Sequence, residues 1–406
     1  MLTRRRFLLL FPAAASSVAS AQDLASFFRR KKPLPPPPTR VYFGTDTSKG
    51  VSKGIYHARF DTRTGELTQP LLAATTTRPS YLALSPAHEG RRYLYAVNAL
   101  NDPAATVTSF AIDAKDGTLS QIGQVPSAGA GPAYISVDLT GKAAFVANYF
   151  GGTVASFHIQ SDGALSQPVD VLDYKDHARF GALGPNSTRQ DTPHPHSATL
   201  SPDNRFLLVN DLGTDHISVF SIDPETAHLT TAKPYLFTND RPGSGPRHLV
   251  FHPNGRWIYG INEIDSTIDH YLWTETHTTT PPQGLLVNTN TPIKTIAPGF
   301  PAEKNTAAEI AVSPDGNFLY ASNRGEDTLV VFSISPGDGR LNLIQRIACG
   351  GKTPRHFTLD PTAEWLLCGN QDSATVTVFR RHLGTGRLTG PTQTVTLDSP
   401  LIALFA

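Results

Sequence analysis

The sequence predicts an all-β protein, a seven-bladed β-propeller with four antiparallel strands in each blade. Three observations lead to this prediction: a short phrase that recurs seven times, strand-like stretches around each copy, and chain ends that complement each other. The phrase joins a turn to a leucine, as in TGEL and DGRL, at intervals of 46–64 residues. The seven leucines are Leu67, Leu119, Leu165, Leu229, Leu285, Leu341 and Leu388.

Each copy of the phrase belongs to a unit with about four short strands. A β-rich stretch ending in F-x-I or a similar pattern precedes most copies, as in VTSFAID and ISVFSID. Earlier in the unit comes a turn of the Ser-Pro-Asp-Gly type, which is clearest at 313–316. Repeats of this length with four strands are typical of propeller blades. Long amphipathic helical patterns are missing, which argues against an α/β fold.

The two ends of the repetitive region complement each other. The region opens with RVYFGTD, which matches the second strand of a unit, so this first unit lacks its own first strand. The chain ends with SPLIALFA, which matches a first strand such as GPRHLVF. We therefore predict that the C-terminal strand joins the N-terminal blade and closes the ring, which leaves no open sheet edge at the junction.

Two segments precede the predicted propeller of residues 41–406. Residues 1–21 contain TRRRFLLL, an apolar run and ASA, and are similar to a twin-arginine export signal; an ordinary secretory signal and an uncleaved anchor are the alternatives. Residues 22–40 form a basic, proline-rich linker. We expect the precursor to bind the twin-arginine export machinery. The mature protein should be periplasmic or extracellular and lack a membrane span.

Composition narrows the functional class. The chain has 406 residues, 39% of them hydrophobic, and a net charge of +1, and its body lacks a long basic stretch. These features give no support for nucleic-acid binding. Cys349 and Cys368 are expected to be buried thiols, with a disulfide between them as the alternative. Histidines and carboxylates are scattered and no Gly-rich phosphate loop occurs, so we predict no metal and no cofactor. We expect the protein to be a monomer.

Equivalent positions of the repeats differ chemically in one part of the ring. The position after the turn proline of each innermost strand holds His196, Arg247 and Arg355 in units four, five and seven, and the end of the second strand holds Glu263 and Arg324 in units five and six. The open hairpin ends should meet beside the central channel, so we predict that these groups surround one cavity. A simple cross-strand salt bridge is the alternative for Arg247 and Glu263. Three arginines around one cavity would repel one another without an anionic guest or nearby carboxylates.

Four phrases of the chain resemble the lactonase family of seven-bladed β-propellers: HPHSATLSPDNRFLLVNDLGTD, GPRHLVFHPNGRWIYGINE, AEIAVSPDGNFLYASNRGEDTLVVF and GGKTPRHFTLDPTAEWLLCGNQ. The family includes 6-phosphogluconolactonases of the bacterial propeller type and carboxy-muconate lactonising enzymes. The resemblance runs from residue 41 to the C-terminus and is strongest over 192–378. It implies an active site at the positions proposed for the lactonising members, which are His196, Arg247, Glu263 and Arg324 here.

The chemistry of lactone opening suits these four residues. The reaction needs an activated water, a stabilised oxyanion and a proton for the leaving alkoxide. His196 or Glu263 can move the proton, and the residue pattern leaves open which of them does so. Arg247 and Arg324 can hold a carboxylate or phosphate and stabilise negative charge. We predict that all four are catalytic.

Three further residues are predicted to bind substrate: Arg355, Asp211 and His194. For Asp211 and His194, a purely structural role in a turn is the alternative. His248 and His356 directly follow Arg247 and Arg355, which occupy the position after the turn proline. Strict strand alternation would point both to the opposite side, so we interpret them as structural.

The favoured function is hydrolysis of a small anionic sugar lactone similar to 6-phosphogluconolactone. An exported propeller that binds a protein or cell-wall ligand without catalysis is one alternative, and a carboxy-muconate-type lactonising enzyme is another. Two insertions, 174–193 and 274–306, and the export signal depart from the family pattern. Export argues against a cytosolic sugar phosphate as substrate. The first insertion is expected to form either a lid or a mobile surface loop.

Overall fold

Strand β1 (Thr39–Thr45) is the first element of the computed structural model, which describes residues 39–88, 90–238, 241–276, 283–289 and 291–406. The predicted export signal and the linker as far as residue 38 lie outside the described residues. The described chain folds into seven antiparallel sheets arranged as blades, which confirms the predicted all-β seven-bladed propeller.

The first four blades follow the chain in order. Blade 1 contains β1, β2 (Gly54–Asp61), β3 (Glu66–Leu67) and β4 (Leu71–Thr75). Blade 2 contains β5 (Pro79–Leu84), β6 (Tyr93–Asn98), β7 (Thr106–Ile112) and β8 (Leu119–Pro126). Blade 3 contains β9 (Pro132–Val137), β10 (Ala143–Asn148), β11 (Thr153–Ile159) and β12 (Leu165–Asp173). After a short helix, α1 (His177–Phe180), blade 4 contains β13 (Pro195–Leu200), β14 (Phe206–Asp211), β15 (His216–Asp223) and β16 (His228–Thr238).

The remaining blades continue the pattern. Blade 5 contains β17 (Pro246–Phe251), β18 (Trp257–Asn262), β19 (Thr267–Thr276), β20 (Gln283–Asn288) and the short β21 (Ile293–Lys294). After a 3₁₀ turn (Ala302–Lys304), blade 6 contains β22 (Thr306–Val312), β23 (Phe318–Arg324), β24 (Thr328–Ile334) and β25 (Leu341–Ala348). Blade 7 contains β26 (Pro354–Leu359), β27 (Trp365–Asn370), a 3₁₀ turn (Gln371–Ser373), β28 (Thr375–Arg381) and β29 (Leu388–Thr396). The last strand is β30 (Pro400–Phe405).

The C-terminal strand closes the ring. Strand β30 pairs antiparallel with β1, with Val41 opposite Phe405 and Gly44 opposite Ile402, so it is the innermost strand of blade 1. The seven innermost strands pack side by side in a closed circle in the order β30, β5, β9, β13, β17, β22 and β26. The predicted closure by the chain's own ends is therefore confirmed.

The recurring glycine of the turn-plus-leucine phrase joins neighbouring blades. In four blades its carbonyl accepts a hydrogen bond from a buried tyrosine hydroxyl of the preceding blade, at 2.7–3.0 Å. These pairs are Tyr42 with Gly117, Tyr95 with Gly163, Tyr259 with Gly339, and Tyr320 with Gly386. All four glycines have positive φ, which few other residues adopt without strain. The phrase therefore recurs because it serves both the turn and the contact between blades.

Apolar side chains from adjacent blades form the core between the sheets. One cluster joins Tyr320 and Leu329 of blade 6 to Phe357, Leu366 and Phe379 of blade 7. Burial of such surface is the main driving force for folding.

One predicted anchor lies one residue away from its expected position. In blade 5, Leu285 is exposed and the neighbouring Leu286 is buried instead. Successive residues of a strand point to opposite faces of the sheet, so a shift of the phrase PQGL by one position buries Leu286 instead of Leu285.

Both cysteines are buried free thiols, so the disulfide alternative is wrong. Cys349 and Cys368 pack in the core between blades 6 and 7. Burial raises the pKa of Cys349 to about 11, so its thiol stays protonated at neutral pH. Among the described residues, no helix is both long and apolar enough to cross a membrane.

Candidate active site

A β-bulge recurs near the start of the innermost strands. In blades 4, 5 and 7 the register shifts by one residue, and the unpaired residues are His196, Arg247 and Arg355. A bulge places two residues opposite one partner and re-aims their side chains. These are the positions that vary chemically between repeats. The bulge is therefore the local structure that brings these predicted site residues to the channel.

The bulged ends surround a cavity of about 710 Å³. Its volume lies within the usual range of small-molecule sites, roughly 300–1,000 Å³. His196, Glu263, Arg324 and Arg355 line one part of the wall, and small or apolar residues such as Leu401 line another. Among the described residues, four arginines and three carboxylates line the cavity, so this surface carries more positive than negative charge.

Glu263 lies at the centre of the charged groups. Its carboxylate pairs with Arg247 (Nε to Oε2, 3.0 Å), with Arg324 (Nη2 to Oε2, 2.7 Å) and with Arg189. Its backbone N–H donates to the carbonyl of Gly245 at 2.7 Å. Gly245 has a φ of 69°, and an added Cβ would lie 2.7 Å from Ile264, so only glycine fits there. Glu263 is thus fixed by its backbone and by three guanidinium groups.

The protonation states of Glu263 and His196 follow from their surroundings. Burial alone would raise the pKa of Glu263, but Arg324 and Arg247 outweigh it and hold that pKa well below its usual value. Burial, together with Arg247, lowers the pKa of His196 well below its usual value. The imidazole Nε2 lies 3.9 Å from Glu263 Oε2. At neutral pH the site therefore pairs a neutral imidazole with an ionised carboxylate.

Arg324 and Arg247 contact the same oxygen of Glu263, Oε2, but differ in their access to the cavity. Arg324 lines the cavity and also donates to the carbonyl of Ala307 at 3.2 Å. Arg247 is 2% exposed, donates to the carbonyl of Ala308, and does not line the cavity. Among the described residues, the predicted catalytic arginine with access to the cavity is therefore Arg324. Arg247 lies behind Glu263, where it positions the carboxylate.

The propeller as a whole matches one family. The sequence model for "Lactonase, 7-bladed beta-propeller" matches residues 40–405. The chain belongs to this lactonase family. It is 33% identical over 353 residues to the 6-phosphogluconolactonase of Formosa agariphila, an alignment that covers 86% of this chain and 94% of that protein. It is 31% identical to the 6-phosphogluconolactonase of Bacillus subtilis, with coverages of 90% and 97%.

A solved structure supports the same assignment for the fold. The periplasmic gluconolactonase of Pseudomonas aeruginosa superposes on this lactonase with a TM-score of 0.79 at 32% identity. The superposition covers 90% of this chain and 98% of that one.

The insertion before blade 4 of the lactonase contributes a residue that the sequence did not single out. Arg189 contacts Glu263 Oε1 with Nη2, which also lies 3.5 Å from the hydroxyl of Tyr149. Thr188 and Asp191 of the same insertion line the cavity. The insertion therefore forms part of the cavity wall. Comparison between repeats could not identify Arg189, because the other blades have no matching segment.

His194 lies at the cavity, whereas Asp211 lies in the protein interior. His194 lines the cavity, stacks on Tyr149 with ring centroids 4.2 Å apart, and places Nε2 3.1 Å from Asp191. Asp211 is fully buried and does not line the cavity. Its oxygens accept hydrogen bonds from the backbone of His194 and Gly213 and from the Thr214 hydroxyl. The predicted substrate contact of Asp211 does not fit this position, which matches the turn alternative.

We expect Asp211→Ala to destabilise the lactonase by about 3 kcal/mol, because it leaves two buried N–H groups and one hydroxyl without their acceptor. Urea unfolding would measure the change. The exposed Asp176→Ala, before α1, is the control because Asp176 makes no side-chain cap hydrogen bond, and it should stay within about 0.5 kcal/mol of wild type. An unchanged stability with a raised KM would instead indicate a direct substrate contact.

A second group of buried polar side chains lies across the centre of the lactonase ring. The ring of Tyr81 in blade 2 is 6.0 Å from that of His248 in blade 5 and 6.0 Å from that of His356 in blade 7, so these side chains meet in the channel. Glu309 Oε1 lies 3.2 Å from His248 Nδ1, and Oε2 lies 3.5 Å from His356 Nε2. Burial alone would raise the pKa of Glu309, but His248 and His356 help lower it to about 2.

The predicted orientation of His248 and His356 is therefore wrong. Strict alternation would have placed the two histidines on the other side of their strands from Arg247 and Arg355. The bulges at Arg247 and Arg355 break that alternation, so each arginine and the following histidine both approach the channel. Among the described residues, no group of three or more His, Cys, Asp or Glu side chains is arranged to hold a metal ion.

Proposed function

We propose that this lactonase hydrolyses a small sugar lactone with an anionic substituent, similar to 6-phosphogluconolactone. The observation that carries the proposal is a neutral, buried His196 beside an ionised Glu263 in a cavity of about 710 Å³ with excess positive charge. Relatives named 6-phosphogluconolactonase, at 31–33% identity over most of the chain, support the same reaction class.

In the proposed mechanism, His196 removes a proton from a water molecule, whose oxygen then attacks the lactone carbonyl carbon. The carbonyl oxygen becomes an oxyanion, which the guanidinium of Arg324 stabilises at the cavity wall. When the tetrahedral intermediate collapses, the ring C–O bond breaks and the imidazolium of His196 returns the proton to the alkoxide. Glu263, 3.9 Å from the imidazole, stabilises the imidazolium between these two steps.

His196 suits proton transfer better than Glu263. The carboxylate of Glu263 is engaged by three arginines, which hold its pKa well below the usual value even though burial opposes this shift. A carboxylate of such low basicity is a poor acceptor for a proton from water. The pKa of His196 is lowered as well, but Glu263 opposes that shift, and the imidazole is neutral at pH 7 and lines the cavity. We therefore assign the proton transfer to His196 and an electrostatic role to Glu263.

A lactone panel tests the proposal. Purified protein would be assayed with 6-phosphogluconolactone, gluconolactone and glucarolactone, with spontaneous hydrolysis subtracted, and carboxy-muconate would test the lactonising alternative. We expect hydrolysis of at least one of the two anionic lactones well above its spontaneous rate and more efficiently than neutral gluconolactone. A protein that opens none of them would contradict the proposal and favour a binding role.

We also propose that the chain is exported by the twin-arginine route. The support is the TRRRFLLL segment at the N-terminus and the related Pseudomonas aeruginosa enzyme, which is described as periplasmic. In a bacterial host, wild-type protein should fractionate with the periplasm. The double variant Arg4→Lys, Arg5→Lys should remain in the cytoplasm. Equal fractionation of the two proteins would contradict this route.

A further inference from the structure

Arg355 differs from the other arginines of the cavity in having no partner. Within the part of the chain that the structure describes, its guanidinium makes no hydrogen bond and no ion pair. The other arginines that line the cavity each pair with a carboxylate: Arg189 and Arg324 with Glu263, and Arg78 with Asp46 (Nε to Oδ1, 3.3 Å). The side chain of Arg355 nevertheless lines the cavity at the bulge of β26.

The surroundings of Arg355 make an unpaired charge costly. Arg355 is half-buried, and its removal from water together with the nearby Arg324 and Arg247 lowers its pKa to about 9, although Glu263 and Asp46 oppose this shift. At pH 7 the group is still protonated. A cationic side chain kept in such a position without a partner gains most from a bound anion, which would offset both the burial and the repulsion.

Arg355 lies next to the proposed reacting groups but belongs to a different blade. His196, Glu263 and Arg324 come from blades 4, 5 and 6, whereas Arg355 comes from blade 7. On its other side, blade 1 presents Leu401 at the equivalent bulge, which carries no charge. A lactone whose carbonyl lies near His196 could therefore direct a charged substituent toward Arg355.

We propose that Arg355 binds an oxyanion substituent of the substrate, a phosphate or a carboxylate, and thereby sets the preference for anionic over neutral lactones. This inference rests on the proposed lactonase function. The planar guanidinium presents paired N–H donors that match two oxygens of one phosphate or carboxylate. Asp46 competes little for this role, because its carboxylate already accepts hydrogen bonds from Ser48 and pairs with Arg78.

Arg355→Gln tests the proposal through substrate preference. The readout is kcat/KM for 6-phosphogluconolactone and for glucarolactone, each divided by the value for neutral gluconolactone. We expect the variant to reduce the ratio for the matching anion by roughly 10- to 100-fold, mainly through KM. The substrate whose ratio falls identifies phosphate or carboxylate as the group bound. Arg387→Gln, an exposed arginine of the same blade, should leave both ratios unchanged.

A binding measurement separates this proposal from the proposed reaction. Calorimetry with 6-phosphogluconate and with gluconate needs no catalysis. Wild type should bind the phosphorylated acid more tightly, and Arg355→Gln should lose that difference. If the wild-type protein hydrolyses no lactone but shows this binding pattern, the proposed anion site is supported and the proposed reaction is contradicted. Equal losses for 6-phosphogluconate and gluconate, or no loss at all, would overturn the proposal.

Discussion

Glu263→Gln is expected to lower kcat/KM by about 10²–10³-fold, since the variant removes the charge that stabilises the imidazolium of His196 and orients Arg324. It should also destabilise the fold. Arg247 is 2% exposed and loses its carboxylate partner, and Arg189 and Arg324 lose theirs as well. Breaking a buried ion pair by removing one partner typically costs about 3–5 kcal/mol.

Both effects can be measured on one protein preparation. Lactone hydrolysis gives kcat/KM, and urea unfolding gives the change in free energy of unfolding. Glu303→Gln, an exposed carboxylate before blade 6, is the matched control and should leave both values near those of wild type. A stable Glu263→Gln protein with wild-type activity would mean that the arginines need no carboxylate, and the proposed charge arrangement would be wrong.

His196→Gln is expected to lower kcat by about 10²–10⁴-fold, since it removes the proposed general base. In the wild-type enzyme the base must be neutral to accept a proton. Burial and Arg247 lower the pKa of His196 well below 6.5, so activity should stay level down to pH 6.5 and fall only at more acidic pH. The residual activity of the variant should lack this acid limb.

The pH profile distinguishes proton transfer from a merely structural contribution. His228→Gln changes an exposed histidine of the same blade and should keep both the rate and the acid limb. If His196→Gln retained an acid limb with the wild-type midpoint, another group would have to be the base. If its kcat stayed within a few-fold of wild type, His196 would not take part in the chemical step.

The repetitive architecture could be predicted because short-range chemistry encodes it. In four blades the turn glycine has positive φ and accepts a hydrogen bond from a tyrosine of the preceding blade, so the same phrase recurs from blade to blade. The first unit likewise lacks its innermost strand and the C-terminus supplies an additional one, which indicates that the two ends close the ring. Site residues on the repeated strands, such as His196 and Glu263, were found by comparing equivalent positions.

Other features of the site could not be predicted from sequence. Arg189 reaches Glu263 from an insertion that has no equivalent in other blades. His248 contacts Tyr81 across the channel, although alternation along a regular strand predicts the opposite direction. Asp211 has the residue type of a binding group, yet all its hydrogen bonds in the structure stabilise a turn.

The sequence by itself determined the number of blades, the closure of the ring and the positions at which charged residues interrupt the repeat. These depend on local turn chemistry and on strand periodicity, which each segment carries independently. Only the tertiary structure decided which side chains reach the cavity, which arginines pair with carboxylates, and that Arg355 has no hydrogen bond or ion pair to any residue that the structure describes. The physical reason is that bulges and inter-blade contacts set side-chain directions, and these arise only when all seven blades pack around one channel.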